Sequence, residues 1–266
     1  MTAYCSSPTQ LLLVLNARTL DFMDARQNFR VASFEMNYPE VREILGAQPT
    51  KDGSYDSSRF FGPRAVTIAG SIVPTATMSR GRALDDLAFF VDQSARPVLF
   101  YQIDPDQTPR AIGLRAAALA APYANTQVST FTLSWKAPDP LSYSSTQTKV
   151  SLAGTGSTTI TPGGNFRAWP TFRMHGPCTN PIVSITSQPT GAFAMLFTTI
   201  AAGHYIDAAM DTHIVNDDTG ANPSNLVDQT QTTWPSLAAA ANTVTFSAGG
   251  TGTGTGLDIT WRDSWL

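Results

Sequence analysis

The stretch Trp135-Lys136-Ala137-Pro138-Asp139-Pro140, continued by Ser142-Tyr143-Ser144-Ser145-Thr146, divides the chain. Upstream, Gln127 to Trp135 reads as a β-strand. The two prolines then remove backbone donors and fix φ, and the Ser/Thr run that follows is loop chemistry, so a strand stops and a connection begins. A chain of 266 residues exceeds the usual single-domain length, and two domains are its natural reading. The boundary is placed near residue 148, giving domains 1–148 and 149–266.

Working back from the boundary, Arg110 to Ala121 reads as one strand and Val98 to Ile103 as another. Between Arg82 and Gln93 the pattern changes: Leu84, Leu87, Ala88 and Val91 fall at i, i+3, i+4 and i+7, the stripe of a helix. Asp85 and Asp86 are expected in its first turns, where the positive end of the helix dipole favours them. The predicted buried stripe is Leu84, Leu87 and Val91. Ala65 to Ile72, Phe29 to Met36 and Leu11 to Leu15 read as further strands. Glu40 to Leu45 fits either a strand or a helical turn, and Lys51-Asp52-Gly53-Ser54 is a turn.

Downstream, short segments rich in Thr, Val, Ile and Phe are punctuated by turns, the pattern of a β-sandwich. The expected strands are Lys149–Leu152, Trp169–His175, Pro181–Thr186, Ala194–Ile200, His204–Ala208, His213–Val215, Thr243–Ser247 and Leu257–Asp263. The tract Ala248-Gly249-Gly250-Thr251-Gly252-Thr253-Gly254-Thr255-Gly256 is expected as a flexible tip between the last two. It lies between strands and lacks a following Lys-Ser/Thr, so it is no phosphate loop. The fold class is therefore mainly β, with one helix in the first domain.

Composition narrows the function classes. Charged residues make up 14% of the chain, against roughly 25% in soluble domains. Disorder is excluded by 10% aromatics and a net charge of only −3. No apolar run approaches the roughly 20 residues of a spanning helix. What remains is a folded protein with a weakly charged exterior, as in β-rich proteins that stack into larger objects. Up to Lys149 there are 14 basic and 13 acidic residues, and beyond it 3 and 7. Neither half has the Lys/Arg clustering of a nucleic-acid binder. Met1 to Cys5 has no signal-peptide character, and Cys5 and Cys178, one per domain, are read as free thiols.

Catalytic chemistry finds little footing. His175, His204 and His213 are the only histidines, and no Gly-x-Ser-x-Gly elbow accompanies them. Asp207 and Asp211 lie about 13 Å apart on an extended strand, too far for one ion. Asp217-Asp218-Thr219-Gly220 is a turn before it is a Ca²⁺ site. The second domain contains no Glu, against a paired-carboxylate glycosidase. No enzyme, cofactor or metal is expected. Trp169 beside Arg167 is the nearest approach to a sugar contact, although aromatics in a sandwich are more often core. Trp261 and Trp265 are expected to share a face of one strand.

Several segments, in order, resemble the distal tail protein (Dit) family, the tail-tip hub of siphoviruses. They are Asn37-Tyr38-Pro39-Glu40-Val41-Arg42, Asp52-Gly53-Ser54-Tyr55-Asp56, Phe60-Phe61-Gly62-Pro63-Arg64 through Gly70, and Trp135 to Pro140. In the second domain they are Gly163 to Pro170, His175 to Pro181, and Ile259-Thr260-Trp261-Arg262-Asp263-Ser264-Trp265, the last similar to actinophage relatives. A departure is Ala240-Ala241-Asn242, where relatives often carry a Pro-Gly-Asn turn.

The resemblance implies a ring-forming, barrel-like first domain (1–148) that hexamerises, and a galectin-like β-sandwich (149–266). It implies a structural virion protein of a long non-contractile tail, assembled in the host cytoplasm and located at the tail tip. There a homo-hexameric baseplate hub would join the tail tube protein to tip proteins, with the tape measure protein as a further partner and a channel for DNA. No membrane or sequence-specific nucleic-acid partner is implied. Arg59, Phe60, Phe61 and Arg64 are candidate interface residues. The alternative is a carbohydrate-binding adhesin acting through the second domain, with Arg167 and Trp169 as sugar contacts.

Overall fold

A computed structural model of the chain describes residues 2–5, 8–24, 28–47, 54–75, 78–92, 96–121, 129–186 and 191–266. The turn expected at Lys51-Asp52-Gly53 lies outside the described residues. The chain divides into two compact units, Met1–Ser145 with Leu266, and Thr146–Trp265. Both are built from antiparallel strands, so the protein is mainly β.

In the first unit the strands are β1 (Thr2–Cys5), β2 (Gln10–Leu15), β3 (Arg18–Asp21), β4 (Phe29–Asn37), β5 (Val41–Ala47), β6 (Ser54–Phe61) and β7 (Arg64–Ile72). After helix α1 (Arg80–Phe89) come β8 (Val98–Gln102), β9 (Arg110–Gly113), β10 (Arg115–Ala120), β11 (Ser129–Ala137) and β12 (Ser142–Ser144). One sheet runs β1-β4-β7-β11-β10; a second includes β12-β9-β8-β2-β3; β5 and β6 pair with each other as a two-stranded hairpin. Alternation decides which side chains go inward. Leu11 and Leu13 of β2 are buried, as are Val66, Ile68 and Ile72 of β7 and Phe131, Leu133 and Trp135 of β11. The two sheets and the helix thus share one core, centred on Phe22, Phe29 and Phe131, whose ring centroids lie 5.8–6.3 Å apart. Gly70 is required where β4 and β7 meet. A Cβ there would come within 2.3 Å of the Arg30 carbonyl oxygen.

Two features differ from the pattern-based expectation. Arg110 to Ala121 is two strands, not one: β9 pairs with β8, whereas β10 pairs with β11 in the other sheet. The chain changes sheets at Leu114, which is buried and donates its N–H to the Pro97 carbonyl at 2.8 Å. The helix starts two residues earlier than expected because Ser79 caps it, its Oγ accepting from the Arg82 N–H. Asp85 and Asp86 therefore fall beyond a first turn that holds no acidic residue. The helix's buried residues are Ala83 and Leu87, continued by Phe90 just past its end; Leu84 and Val91 are only half-buried.

The second unit carries β13 (Thr148–Ala153), β14 (Gly156–Ile160), β15 (Thr171–His175), β16 (Cys178–Ile185), β17 (Gly191–Ala194), β18 (Thr199–Ile200), β19 (Tyr205–Ala209), β20 (Ile214–Asp217), β21 (Asn242–Gly249), β22 (Gly256–Trp261) and β23 (Ser264–Trp265). One sheet has the order β13-β22-β15-β19-β20. The other has β14-β21-β16-β17, with β18 also on β16. Phe172, Met174, Ile206 and Ile259 of the first sheet pack with Val183, Phe193, Val244 and Phe246 of the second. This is a two-sheet sandwich around one core. The run Ala194–Ile200 is two strands separated by a turn, and β14 was not anticipated. Trp261 ends β22 and Trp265 lies on β23, so the two do not share a strand.

The glycine tract between β21 and β22 is tied down on one side. Thr255, 6% exposed, donates to the Pro177 carbonyl at 2.6 Å and accepts from the Gly252 N–H at 2.9 Å. Asn242 stands where a Pro-Gly-Asn turn was lacking and closes the turn itself. Its fully buried amide accepts from Ala238 N and donates to the carbonyls of Ala238 and Ala240.

Candidate interface and ligand-binding surfaces

The four residues singled out near the β5–β6 hairpin separate in the structure. Phe60 is 55% exposed, and Phe61, opposite Val41, is half-buried. The Arg59 side chain lies outside the described ones. Arg64 is turned inward: 6% exposed, it donates from Nε to the Asn37 carbonyl at 2.7 Å and from a terminal nitrogen to that of Pro140 at 3.2 Å. Burial lowers its pKa from the usual guanidinium value, because desolvation disfavours the charge. Arg64 thus clamps two connections within its own unit. Tyr38 and Val41, about half exposed, accompany Phe60 at the hairpin base. Val41 pairs with Phe61, and Phe60 with Arg42, so Val41 and Phe60 point to opposite faces of the hairpin.

In the second unit, Arg167 lies over the rings of both Phe166 and Trp169, at 5.5 and 5.3 Å. Trp169 is half-buried against the sandwich core. The ring proposed as a sugar platform is therefore engaged on the core side and approached by a guanidinium.

The histidines and aspartates do not converge. Among the described residues no three His, Cys, Asp or Glu side chains are grouped to hold a metal ion. Arg173 makes a bidentate pair with Asp207 at 2.7 and 2.8 Å and lies 4.0 Å over the Tyr205 ring. That hydrogen-bonded pair raises the pKa of Arg173. His213 stacks on Trp234 at 4.6 Å, and His204 Nδ1 meets Asp218 at 2.7 Å. Asp217 Oδ1 accepts from Thr219 N, Thr219 Oγ1 and Ala221 N, which is the turn expected there; these bonds, the Thr219 hydroxyl foremost, lower its pKa. Cys178 is buried and free, and burial raises its thiol pKa.

Asp258 is the centre of a polar ladder on the outer face of the β13-β22-β15-β19-β20 sheet. Ser151 donates to it at 2.6 Å, Lys149 lies at 2.9 Å and His175 at 3.0 Å. Burial alone would raise its pKa, but the three partners together hold it far below the carboxylate range. With Arg173 and Asp207 it lines a shallow hollow of about 310 Å³.

A larger hollow, about 490 Å³, opens beside the turn between β17 and β18. Sequence reading did not find it, because its walls come from four separate segments. Phe197 stands at its edge, 91% exposed and at φ 52°, a left-handed conformation that bulky side chains rarely adopt. Asn180, in a bulge of β16, holds this turn: its side chain accepts from Thr198 N at 3.1 Å and its N–H donates to Thr198 O at 2.9 Å.

Neither a family model nor a curated relative matches the sequence. Solved structures do match the fold. The crystal structure of the SPP1 Dit protein, described as a paradigm of the hub adsorption apparatus in phages infecting Gram-positive hosts, superposes with a TM-score of 0.73. The alignment covers 96% of this chain and 99% of that one, at 14% identity. Chains of the phage P2 baseplate in its activated conformation match at TM-scores of 0.51 with Ca and 0.50 with Sr. Each is 9% identical, over 96% and 94% of this chain and 97% of the other. The described chain thus shares its fold with the SPP1 Dit protein.

Proposed function

We propose that this chain is a structural protein of a phage tail tip, which assembles as a hexameric ring hub between the tail tube and the tip proteins. The observation that carries this reading is the fold likeness to the SPP1 Dit protein, which extends over nearly the full length of both chains. In the reading, the first unit forms the ring around a channel for DNA, and the second is galectin-like in kind. The tape measure protein and tail tube protein are its axial neighbours. A ring follows from a heterologous interface that closes by rotation, and the exposed Phe60 and, on the opposite face of the hairpin, Val41 supply apolar surface for its two sides. The non-enzymatic reading is supported by the pairs and turns in which the histidines and aspartates named above, among the described residues, are engaged.

The test is the mass of the purified chain in solution, followed by negative-stain images. Six-fold rings about one tail wide support the hub. A monomer that stays monomeric when mixed with its tube and tip neighbours sinks it. Release of soluble fragments from cell walls by the purified chain would overturn the non-enzymatic reading.

A further inference from the structure

The hollow beside Phe197 plays no part in the ring reading, and its volume, about 490 Å³, lies within the range of ligand pockets. Two kinds of group line it. The first is aromatic: Phe197 presents a nearly fully exposed ring at the rim, on a left-handed backbone that costs energy to hold. The turn beneath it is fixed. Asn180 holds Thr198 from both sides, the Thr198 hydroxyl donates to Leu196 O at 3.1 Å, and the Leu196 N–H donates to Leu226 O at 2.8 Å. A ring held this firmly loses little freedom when a partner covers it. The second kind is anionic. Asp217 commits Oδ1 to its own turn, and Asp218 commits Oδ2 to His204. The other oxygen of each carboxylate makes no hydrogen bond or ion pair among the described residues.

Elsewhere in the same unit the structure shows what an aromatic face and a carboxylate hold between them. The guanidinium of Arg173 lies 4.0 Å over the Tyr205 ring and donates to both oxygens of Asp207. The hollow combines the same two chemistries, but no lysine or arginine lines it, so a cation that answers them comes from another molecule. The charge of the unit favours such a partner. Beyond Lys149 the chain has 3 basic and 7 acidic residues, so a basic surface is drawn to it and an acidic one repelled. Of the two basic side chains, arginine fits better. Its planar guanidinium stacks on a ring while offering several donors to carboxylates, whereas an ammonium is a point charge. We infer that the Phe197 hollow is a docking site for an arginine side chain of a protein partner, stacked on Phe197 and hydrogen-bonded to Asp217 and Asp218.

The experiment titrates the full chain calorimetrically with three end-blocked pentapeptides, Gly-Gly-X-Gly-Gly, where X is arginine, lysine or citrulline. Citrulline keeps the shape of arginine and loses its charge. The arginine peptide is expected to bind, the lysine peptide more weakly, and the citrulline peptide not measurably. Asp218→Asn, whose amide oxygen still accepts from His204, is expected to weaken the arginine peptide about tenfold. Phe197→Gly, which suits the left-handed backbone, weakens it about threefold to fivefold. Phe197→Leu, which keeps apolar bulk without a π face, gives a similar loss, and Phe197→Trp retains the affinity. Trp169→Ala leaves it unchanged. Circular dichroism of each variant checks the fold. No binding of the arginine peptide, equal affinity for the citrulline or lysine peptide, or affinity unaffected by Phe197→Gly or by Asp218→Asn overturns the inference. The site does not rest on the hub reading, and ring formation in negative stain is read separately, so the two failures are told apart.

Discussion

In the first unit the guanidinium of Arg64 is buried on the carbonyls of Asn37 and Pro140, whereas in the second the carboxylate of Asp258 takes its partners from side chains on β13 and β15. The first arrangement ties together connections that are 27 and 76 residues away in sequence. The second spans adjacent strands of one sheet. Of these two charged groups, Arg64 is therefore hard to replace, whereas Asp258 shares its role with several partly exposed neighbours.

Four measurements break or sharpen that contrast. The largest effect is expected for Trp135→Ala, since Trp135 is 1% exposed and donates its indole N–H to Phe90 O at 3.4 Å. A loss of about 3–5 kcal/mol should appear as faster hydrogen exchange in peptides of the first unit, with the second unchanged. Next, Arg64→Met leaves two carbonyls without their donor and should cost about 2–3 kcal/mol. Because Trp135 is the only tryptophan before residue 146, its fluorescence reports that loss in denaturant. An Arg64→Met protein as stable as the parent would dissolve the contrast.

Asp258 gives a smaller, pH-dependent effect. Its pKa is depressed in the folded state, so its contribution is fully present above the unfolded value of about 3.9. It is lost progressively as pH falls below about 4 towards the folded value. Asp258→Asn should cost about 1 kcal/mol near neutrality and flatten this acid limb in the second unit. The smallest effect belongs to Arg173→Ala. The Arg173–Asp207 side chains are 41% and 29% exposed, so solvent screens the pair and less than about 1 kcal/mol is expected.

The sequence was informative where periodicity alone sets the structure. The strands β2, β4, β7 and β11, the helix and the sandwich pattern follow from which residues are apolar and how they are spaced. It was silent on which sheet a strand joins. Ile112 and Leu114 are both buried, with exposed Gly113 and Arg115 between and after them, so the alternation continues unbroken across the change of sheet. Strand β14, Gly156-Ser157-Thr158-Thr159-Ile160, is not among the expected strands, and its Ser/Thr content is as common in loops as in strands. The polar surfaces were the least legible. Nothing local showed that Arg64, beside Phe60 and Phe61, is buried on two carbonyls of its own unit, and no local pattern marks a hollow whose walls come from four short segments between residues 197 and 226.

The change of sheet at Leu114 also has a mechanical consequence. Two sheets held only by side-chain packing can slide past each other under load, because dispersion contacts resist shear weakly. Here a continuous backbone leaves β9 in one sheet and enters β10 in the other, with the Leu114 amide fastened to Pro97 at the crossing. A pull on either layer is carried to the other there by the backbone itself, and not by side-chain packing alone.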